Sequence, residues 1–148
     1  MLCTYTLITV PSVLFLTYVA PRMPLPVFVI GMLSFVVAIC AFSSAACSDP
    51  GIVFRDPPAA DGGEGGGGAA AHKDLRYCTP CDLYRPKEAY HCYDCELCVV
   101  ELDHHCPWTG KCIGKRNLQF FYFFLIALTV HTLYVVVASI AYYSILRD

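Results

Sequence analysis

The chain has 148 residues, of which 57% are hydrophobic and 15% are charged. A soluble domain carries about 25% charged residues, and the formal net charge here is −2. This composition excludes a soluble protein with a single core, a disordered tail and a strongly basic nucleic-acid binder. Most charged residues lie between Asp49 and Arg116, where eleven acidic residues accompany eight Lys and Arg. The pattern indicates a polar segment held between membrane segments.

Three stretches are long and apolar enough to be membrane-spanning helices, which need about 20 mostly apolar residues. We predict spans at about residues 2–20, 25–47 and 118–146. The alternative for the first is a cleaved signal peptide, but it has no basic start and a second apolar run follows at once. Pro11 predicts a kink in the first span. The short connection between the first two spans predicts a transmembrane hairpin over residues 1–48.

The positions of Lys and Arg predict the orientation in the membrane. Eight of the ten lie in the loop between the second and third spans, and the others are Arg22 and Arg147. Positive-inside bias therefore predicts that this loop and the N-terminus face the cytosol. Because the cytosol keeps thiols reduced, we expect the loop cysteines to bind metal or to do chemistry rather than to form disulfides.

Residues 49–76 are predicted to be a cytosolic turn and linker. Asp49-Pro50-Gly51 has the turn chemistry that ends a helix. Residues 61–71 read DGGEGGGGAAA, a low-complexity run that predicts a flexible linker without chemistry of its own.

Residues 77–117 form a short, polar segment rich in cysteine and turn formers, without sustained helical or strand periodicity. Such a segment cannot bury enough apolar area to fold alone, and a structural metal is the usual remedy. Ten side chains are candidate ligands. They are Cys78, Cys81, His91, Cys92, Cys95, Cys98, His104, His105, Cys106 and Cys112.

Two closed tetrahedral zinc sites would use eight of these ten candidates. A surplus thiol beside a surplus imidazole is what nucleophilic catalysis needs, although spacing alone does not identify the two spare residues. The tetrapeptide Asp103-His104-His105-Cys106 is the place to look, because it places an acid, two imidazoles and a thiol within four residues. A nearby His activates a Cys, and an acid orients the His.

The segment resembles the cysteine-rich domain of the DHHC protein S-acyltransferases, also called palmitoyltransferases. The resemblance runs from Cys78 to Phe121 and has many fixed spacings. It includes Cys78-x2-Cys81, Arg85-Pro86, His91-Cys92-x2-Cys95-x2-Cys98, Asp103 to Cys106, Pro107-Trp108, Cys112, Gly114, Asn117 and Phe121. The turn at Asp49-Pro50-Gly51 is similar to the DPG motif that this family carries after its second membrane helix.

The resemblance implies a role for each candidate ligand. One structural zinc ion would be held by Cys78, Cys81, His91 and Cys98. The other would be held by Cys92, Cys95, His105 and Cys112. Cys106 would be the acylated nucleophile, His104 its base and Asp103 the residue that orients His104.

The resemblance also implies a two-step reaction at Cys106. The thiolate takes a fatty acyl group from acyl-CoA, typically palmitoyl-CoA, and passes it to a cysteine of a membrane-associated protein. The expected partners are therefore this co-substrate, such proteins and the bilayer, with no nucleic acid. The family-level expectation for location is the Golgi, the endoplasmic reticulum or the plasma membrane.

Several residues near the motif have two interpretations. Lys111, Lys115 and Arg116 either bind CoA phosphates or only mark the cytosolic side of the membrane. Trp108 either lines an acyl cavity or anchors the chain at the interface. His131 lies in the middle of the third span, where we favour a neutral imidazole hydrogen-bonded to another helix over a functional site.

The predicted fold class is a polytopic α-helical membrane protein. Three transmembrane helices flank a cytosolic, irregular or short-β, two-zinc domain between the second and third. The family normally adds a fourth helix and a TTxE motif, so we expect a form truncated after the third helix. The alternatives to an enzyme are an inactive relative and a membrane-anchored zinc adaptor that recruits partners.

Overall fold

The computed structural model describes residues 1–54 and 75–146. The linker predicted at 61–71 lies outside the described residues. The described chain divides into two compact units. The first comprises Met1–Cys47, Pro107–Gly110 and Gln119–Asp148, and the second comprises Ser48–Cys106 and Lys111–Leu118.

Three helices of the first unit are long and apolar enough to cross a membrane. Helix α1 spans Leu2–Leu14 and continues through a π-helical turn at Phe15–Val19 and a 3₁₀ turn at Ala20–Arg22. Helix α2 spans Leu25–Cys47 and helix α3 spans Leu118–Ile145. The predicted polytopic helical class is therefore confirmed. Pro11 lies inside α1, and prolines and π-helical turns are usual causes of a bend in a helix.

Small residues of α2 allow close packing within the first unit. Ala41 and Ala45 are buried next to Phe42, which is fully buried. The Phe42 ring has its centroid 4.7 Å from that of Tyr5 and 5.1 Å from that of Phe124. Membrane helices gain little from hydrophobic burial, so close packing of this kind is a main source of their association.

His131 connects all three helices of the first unit. Its side chain is buried, with Nε2 lying 2.8 Å from Ser12 Oγ on α1 and Nδ1 lying 2.9 Å from Ser34 Oγ on α2. The structure confirms the expected hydrogen bonding of this imidazole to another helix, and it involves two helices rather than one.

The described residues of the second unit form three short antiparallel hairpins. Strand β1 (Leu75–Cys78) pairs with β2 (Leu83–Pro86), β3 (Ala89–Cys92) with β4 (Leu97–Val100), and β5 (His104–Cys106) with β6 (Lys111–Ile113). Each strand has only three or four residues. The predicted short-β class is confirmed, and the brevity of the strands explains why no period stood out in the sequence.

The segment that follows α2 lies along the outer edge of β4. The Val53 N–H donates to the Cys98 carbonyl at 2.9 Å, and the Val100 N–H donates to the Gly51 carbonyl at 2.9 Å. Gly114 is required beside this segment, because a Cβ there would lie 2.7 Å from the Pro50 carbonyl oxygen. The turn predicted at Asp49-Pro50-Gly51 thus leads into an added edge of the cysteine-rich unit.

Candidate metal centres and catalytic site

The structure brings eight Cys and His side chains into two groups, and within each group the ligand atoms lie within 4.8 Å of one another. The first group is Cys78, Cys81, His91 and Cys98, and the second is Cys92, Cys95, His105 and Cys112. These are the same two sets of four that the family resemblance implied.

The spacing of the ligand atoms suits a tetrahedral metal ion. In the first group Cys81 Sγ lies 3.1 Å from His91 Nδ1 and 3.6 Å from Cys98 Sγ. In the second, Cys95 Sγ lies 3.3 Å from His105 Nδ1 and 3.4 Å from Cys112 Sγ. Zinc–ligand bonds of about 2.0–2.3 Å give tetrahedron edges of roughly 3.3–3.8 Å. The donor sets and their spacing therefore fit zinc, whereas the sulfur separations exceed the disulfide bond length of about 2.05 Å.

In each group one thiol is held toward its neutral form by burial and by the two other thiols. Burial, followed by the neighbouring Cys78 and Cys81 thiols, raises the pKa of the Cys98 thiol to about 12. Burial and then Cys95 and Cys92 raise the pKa of Cys112 in the same way. A bound divalent cation reverses this preference, because it deprotonates a coordinating thiol outright.

Both groups are built by one structural rule. The turn of one hairpin supplies a Cys-x2-Cys pair, and the next hairpin supplies a His and a Cys that lie directly opposite each other. His91 pairs with Cys98 across β3 and β4, and His105 pairs with Cys112 across β5 and β6. Directly opposed residues of an antiparallel pair project from the same face, so each such pair can reach one ion.

This rule appears in the sequence as a 14-residue repeat that the motif analysis did not use. Each ligand of the second group lies 14 residues after its counterpart in the first. A further step of 14 from Cys92 reaches Cys106, and a further step from Cys95 reaches Thr109. Cys106 therefore holds the place of a first Cys in a third hairpin turn, with Thr109 where the second Cys would be. This position explains why one thiol is left outside both metal groups.

Strand β5 places the candidate metal ligand His105 on one face and the candidate catalytic pair, His104 and Cys106, on the other. Successive side chains of a strand point to opposite faces, so His105 projects to one face and His104 and Cys106 to the other. His105 joins the second metal group. The Asp103 N–H donates to the Ile113 carbonyl at 2.9 Å, which fixes the start of the strand.

The three candidate catalytic residues form a hydrogen-bonded series. His104 Nδ1 lies 2.6 Å from Asp103 Oδ2, and the His104 ring also has a side-chain hydrogen bond with Cys106. Because Nδ1 is engaged by the carboxylate, Nε2 is the ring nitrogen left for the thiol. The Cys106 residue is 4% exposed, while the His104 and Asp103 side chains are 37% and 50% exposed.

The surroundings of His104 favour its protonated form. Burial alone would lower the pKa of the imidazole. The hydrogen bond to Asp103, followed by the hydrogen bond and charge interaction with Cys106, outweighs burial and holds the pKa above its ordinary value. An imidazole of this kind can take a proton from a neighbouring thiol.

Asn117, the residue before α3, fixes the end of this hairpin. Asn117 is fully buried, its Oδ1 accepts the Gly114 N–H at 2.8 Å, and its Nδ2 donates to the Cys112 carbonyl at 3.0 Å. This arrangement explains why both Gly114 and Asn117 belong to the motif.

The three basic residues predicted near CoA each contact a group of their own unit. Lys111 Nζ donates to the Ser48 carbonyl at 2.7 Å, Lys115 Nζ lies 2.6 Å from Glu101 Oε1, and Arg116 Nη1 lies 2.6 Å from Asp49 Oδ2. The Lys111 and Arg116 contacts join the Asp49 turn to β6 and to the residues after it, and the Lys115 contact joins those residues to the end of β4. A contact with CoA stays a prediction for all three.

Trp108 belongs to the helical unit and shows one contact that the sequence did not suggest. Its carbonyl accepts a hydrogen bond from Thr4 Oγ1 at 2.7 Å, while the Trp108 residue is 58% exposed. Thr4 is buried, and nothing in the sequence around it signalled this contact across 104 positions. The role of Trp108 in acyl binding stays a prediction.

Comparison with known proteins gives one family. The family model described as DHHC palmitoyltransferase matches residues 71–148. The zebrafish (Danio rerio) "Palmitoyltransferase ZDHHC18-A" is 36% identical over 155 aligned positions, which cover 89% of this chain and 33% of that protein. The Kluyveromyces lactis "Palmitoyltransferase ERF2" is 36% identical over 134 positions, covering 77% of this chain and 36% of that protein.

The human "Palmitoyltransferase ZDHHC9" is 46% identical over 71 residues, which cover 48% of this chain and 20% of that protein. The chain thus spans about a fifth to a third of the length of these curated relatives. The family model covers more than half of the chain, including both metal groups and the series Asp103, His104 and Cys106. The chain is a member of the DHHC palmitoyltransferase family.

Proposed function

We propose that the chain carries the catalytic domain of an integral membrane protein S-acyltransferase. Cys106 receives a fatty acyl group from acyl-CoA and passes it to a cysteine of a membrane-associated protein. The observation that carries this proposal is the hydrogen-bonded series Asp103–His104–Cys106. It unites a thiol, a base and an orienting acid, which is the arrangement that nucleophilic catalysis requires.

In the first step His104 Nε2 accepts the Cys106 proton, and the thiolate attacks the carbonyl carbon of the acyl-CoA thioester. The new bond between that carbon and Cys106 Sγ forms as the bond to the CoA sulfur breaks. The leaving CoA thiolate takes the proton from His104. Throughout this step Asp103 accepts the Nδ1–H and stabilises the imidazolium.

In the second step the thiol of the acceptor protein gives its proton to His104 and attacks the acyl carbon. The bond to Cys106 Sγ breaks, and the Cys106 thiolate is protonated again by His104. Because each substrate uses the same nucleophile in turn, a single site can serve a CoA ester and a protein.

We propose zinc as the ion of both metal groups, because three thiolates and one imidazole form a donor set typical of structural zinc. When bound, the two ions cross-link consecutive hairpins and supply the folding energy that a small apolar core cannot. The ligand His105 lies between His104 and Cys106, so the second group fixes the strand that carries the catalytic pair.

The membrane-spanning helices support a membrane protein. We further propose that the cysteine-rich unit faces the cytosol of an endomembrane or the plasma membrane, as positive-inside bias favours. The exposed side chains of Lys115 and Arg116, together with Lys111, lie beside the start of α3 in the chain. They would give local attraction for CoA phosphates in a unit whose formal charge is negative.

The test is labelling of the purified chain in detergent micelles with a labelled palmitoyl-CoA analogue. We expect a hydroxylamine-sensitive label that is lost in Cys106→Ser. A matched control replaces the three exposed helix cysteines, Cys3, Cys40 and Cys47, by serine and should keep the label. A wild-type chain that binds two zinc ions and takes no label, or a label that survives in Cys106→Ser, would contradict the proposal.

A further inference from the structure

Two of the three guanidinium nitrogens of Arg85 are buried without a hydrogen-bond partner. Among the described residues, its Nε and Nη1 atoms are shielded from solvent and donate to nothing. Buried donors almost always have an acceptor, and a buried positive charge needs a counter-charge. We therefore expect an anionic group to face Arg85 in the working protein.

The strand register places Arg85 beside a ligand of the first metal group. On the β1–β2 hairpin Cys78 lies directly opposite Leu83, and Arg85 is two residues further along the same strand. Residues two apart share a face of the strand. Arg85 is therefore a diagonal neighbour of Cys78 on one face, at about 7–8 Å, which is within reach of a long side chain.

A second cation lies beside Arg85 on this hairpin. The residue directly opposite Arg85 on β1 is Arg76, and opposed like charges are unfavourable. The hairpin therefore carries positive charge that calls for an anion.

Arg85 also bridges two hairpins. Its guanidinium carbon lies 6.0 Å from the ring centroid of Tyr90, which is the neighbour of His91 on β3. The first hairpin supplies Cys78 and Cys81 to the first metal group, and the second supplies His91 and Cys98. A cation resting on an aromatic face thus joins the two elements that must meet around one ion.

We infer that Arg85 is the charge partner of the first metal group, donating its buried N–H groups to the Cys78 thiolate when the metal is bound. Three thiolates, one neutral imidazole and a divalent ion leave one net negative charge, which the guanidinium neutralises. The inference rests on the metal assignment under the proposed function. It explains the unpartnered donors, the opposed cations and the contact with Tyr90 together.

The second metal group has no cation at the position equivalent to Arg85, which provides an internal reference. The residue 14 positions after Arg85 is Val99, and it is fully buried and apolar. Neutralisation by an arginine at this strand position is therefore confined to the first group. Loss of Arg85 should affect the binding of one ion of the two.

The test measures release of zinc from the full chain in detergent micelles to a chromogenic chelator. We compare Arg85→Met with the wild type, and Arg76→Met serves as the control cation on the same hairpin. Loss of a partner of a metal ligand typically weakens metal binding by about 10-fold to 100-fold. We expect Arg85→Met to release one ion faster by about this factor and the other at the wild-type rate. Arg76→Met should release both ions like the wild type.

Two further variants separate charge from packing. Arg85→Lys keeps the charge and should restore much of the slow release, and Tyr90→Leu should speed the same ion as Arg85→Met. With Co²⁺ in place of zinc, Arg85→Met should shift the sulfur-to-cobalt charge-transfer band of one site, because a thiolate without its N–H donor is a stronger electron donor.

Several results would overturn the inference. They are unchanged release in Arg85→Met, equal acceleration of both ions, equal acceleration by Arg76→Met, and no advantage of Arg85→Lys over Arg85→Met. The wild-type metal content keeps this test distinct from that of the proposed function. Fewer than two zinc ions per wild-type chain would contradict the metal assignment itself, whatever Arg85 does.

Discussion

Arg116 Nη1 lies 2.6 Å from Asp49 Oδ2, so a residue just before the third helix contacts the turn just after the second. The Asp49 Oδ1 atom also accepts the backbone N–H groups of Gly51 and Ile52, at 2.9 and 3.1 Å. The turn and the added edge of β4 thus depend on one carboxylate.

We expect Asp49→Ala to destabilise the cysteine-rich unit by about 1–2 kcal/mol, because it removes the acceptor of two backbone donors. Arg116→Ala should cost less than about 1 kcal/mol, since the ion pair is exposed. Melting temperatures in detergent micelles measure both. An equal or larger effect of Arg116→Ala would show that the ion pair, rather than the turn, holds this segment.

The pH dependence of the Asp49 contribution follows from its pKa. The N–H groups of Gly51 and Ile52, then Arg116, outweigh burial and lower the pKa below its ordinary value of 3.8. The stabilisation is therefore complete above 3.8 and is lost as the pH falls through the lowered pKa. The difference in stability between wild type and Asp49→Asn should stay constant from neutral to mildly acidic pH. If this stability difference changed with pH in that range, the pH dependence would belong to a group other than Asp49.

The two metal groups should differ in their effect on Cys106. Cys112→Ser removes a ligand of the group that contains His105, which is the neighbour of Cys106 on β5. We expect this variant to bind one zinc ion and to lose acyl labelling. Cys98→Ser should also bind one ion but keep more labelling, because its group holds β1 to β3 and not β5. Measurements of zinc content and of the labelling rate of each variant check this prediction. Stronger labelling in Cys112→Ser than in Cys98→Ser would contradict it.

Asp103 should act through His104 rather than independently. Loss of a general base lowers a rate by about 10²-fold to 10⁴-fold, and we expect this range for labelling of Cys106 in His104→Ala. Asp103→Ala should cost less, and the double variant should be no slower than His104→Ala alone, because residues that act as a unit are not additive. Single-turnover labelling measures the rates of all three variants. If the losses of the two single variants added in the double variant, Asp103 would act independently of His104, which would contradict the prediction.

The contacts of His131 should stabilise the membrane unit modestly. Polar contacts between membrane helices contribute about 0.6 kcal/mol on average, so Ser12→Ala and Ser34→Ala should each lower the free energy of unfolding by about this amount. Thr129→Ala is the control, because its hydroxyl donates to Leu125 of its own helix. Unfolding in mixed micelles measures the differences, and an effect of Thr129→Ala as large as that of Ser34→Ala would contradict the account.

The three helices were predicted from the sequence, and the two sets of four that the resemblance implied match the two Cys and His groups of the structure, but for different reasons. Long apolar runs without charges have few alternatives to a membrane helix. The ligand sets came from family resemblance, since ten candidates and their spacing left open which thiol and imidazole were spare. The repeat linking Cys78, Cys92 and Cys106 would have indicated the odd thiol, because it identifies the position that lacks a second Cys.

Other features could not be predicted because they depend on tertiary structure. The strands of the second unit carry Cys and His of the two metal groups at positions where other strands carry apolar core residues. They therefore lack the hydrophobic alternation that marks a strand. The pairing of Ile52 with Val99 joins residues on either side of a predicted linker. The contact between Thr4 and Trp108 likewise depends on the folded chain rather than on a local pattern.

The central claim is that Cys106 forms a thioester during the reaction, and intact-mass analysis after a single turnover with palmitoyl-CoA tests it most directly. We predict a burst of one CoA per active chain, a mass increase of one palmitoyl group on the peptide containing Cys106, and loss of that increase with hydroxylamine. Cys106→Ser should show neither burst nor thioester. A CoA burst of wild-type size in Cys106→Ser, or a palmitoyl group found only on other cysteines, would contradict the account.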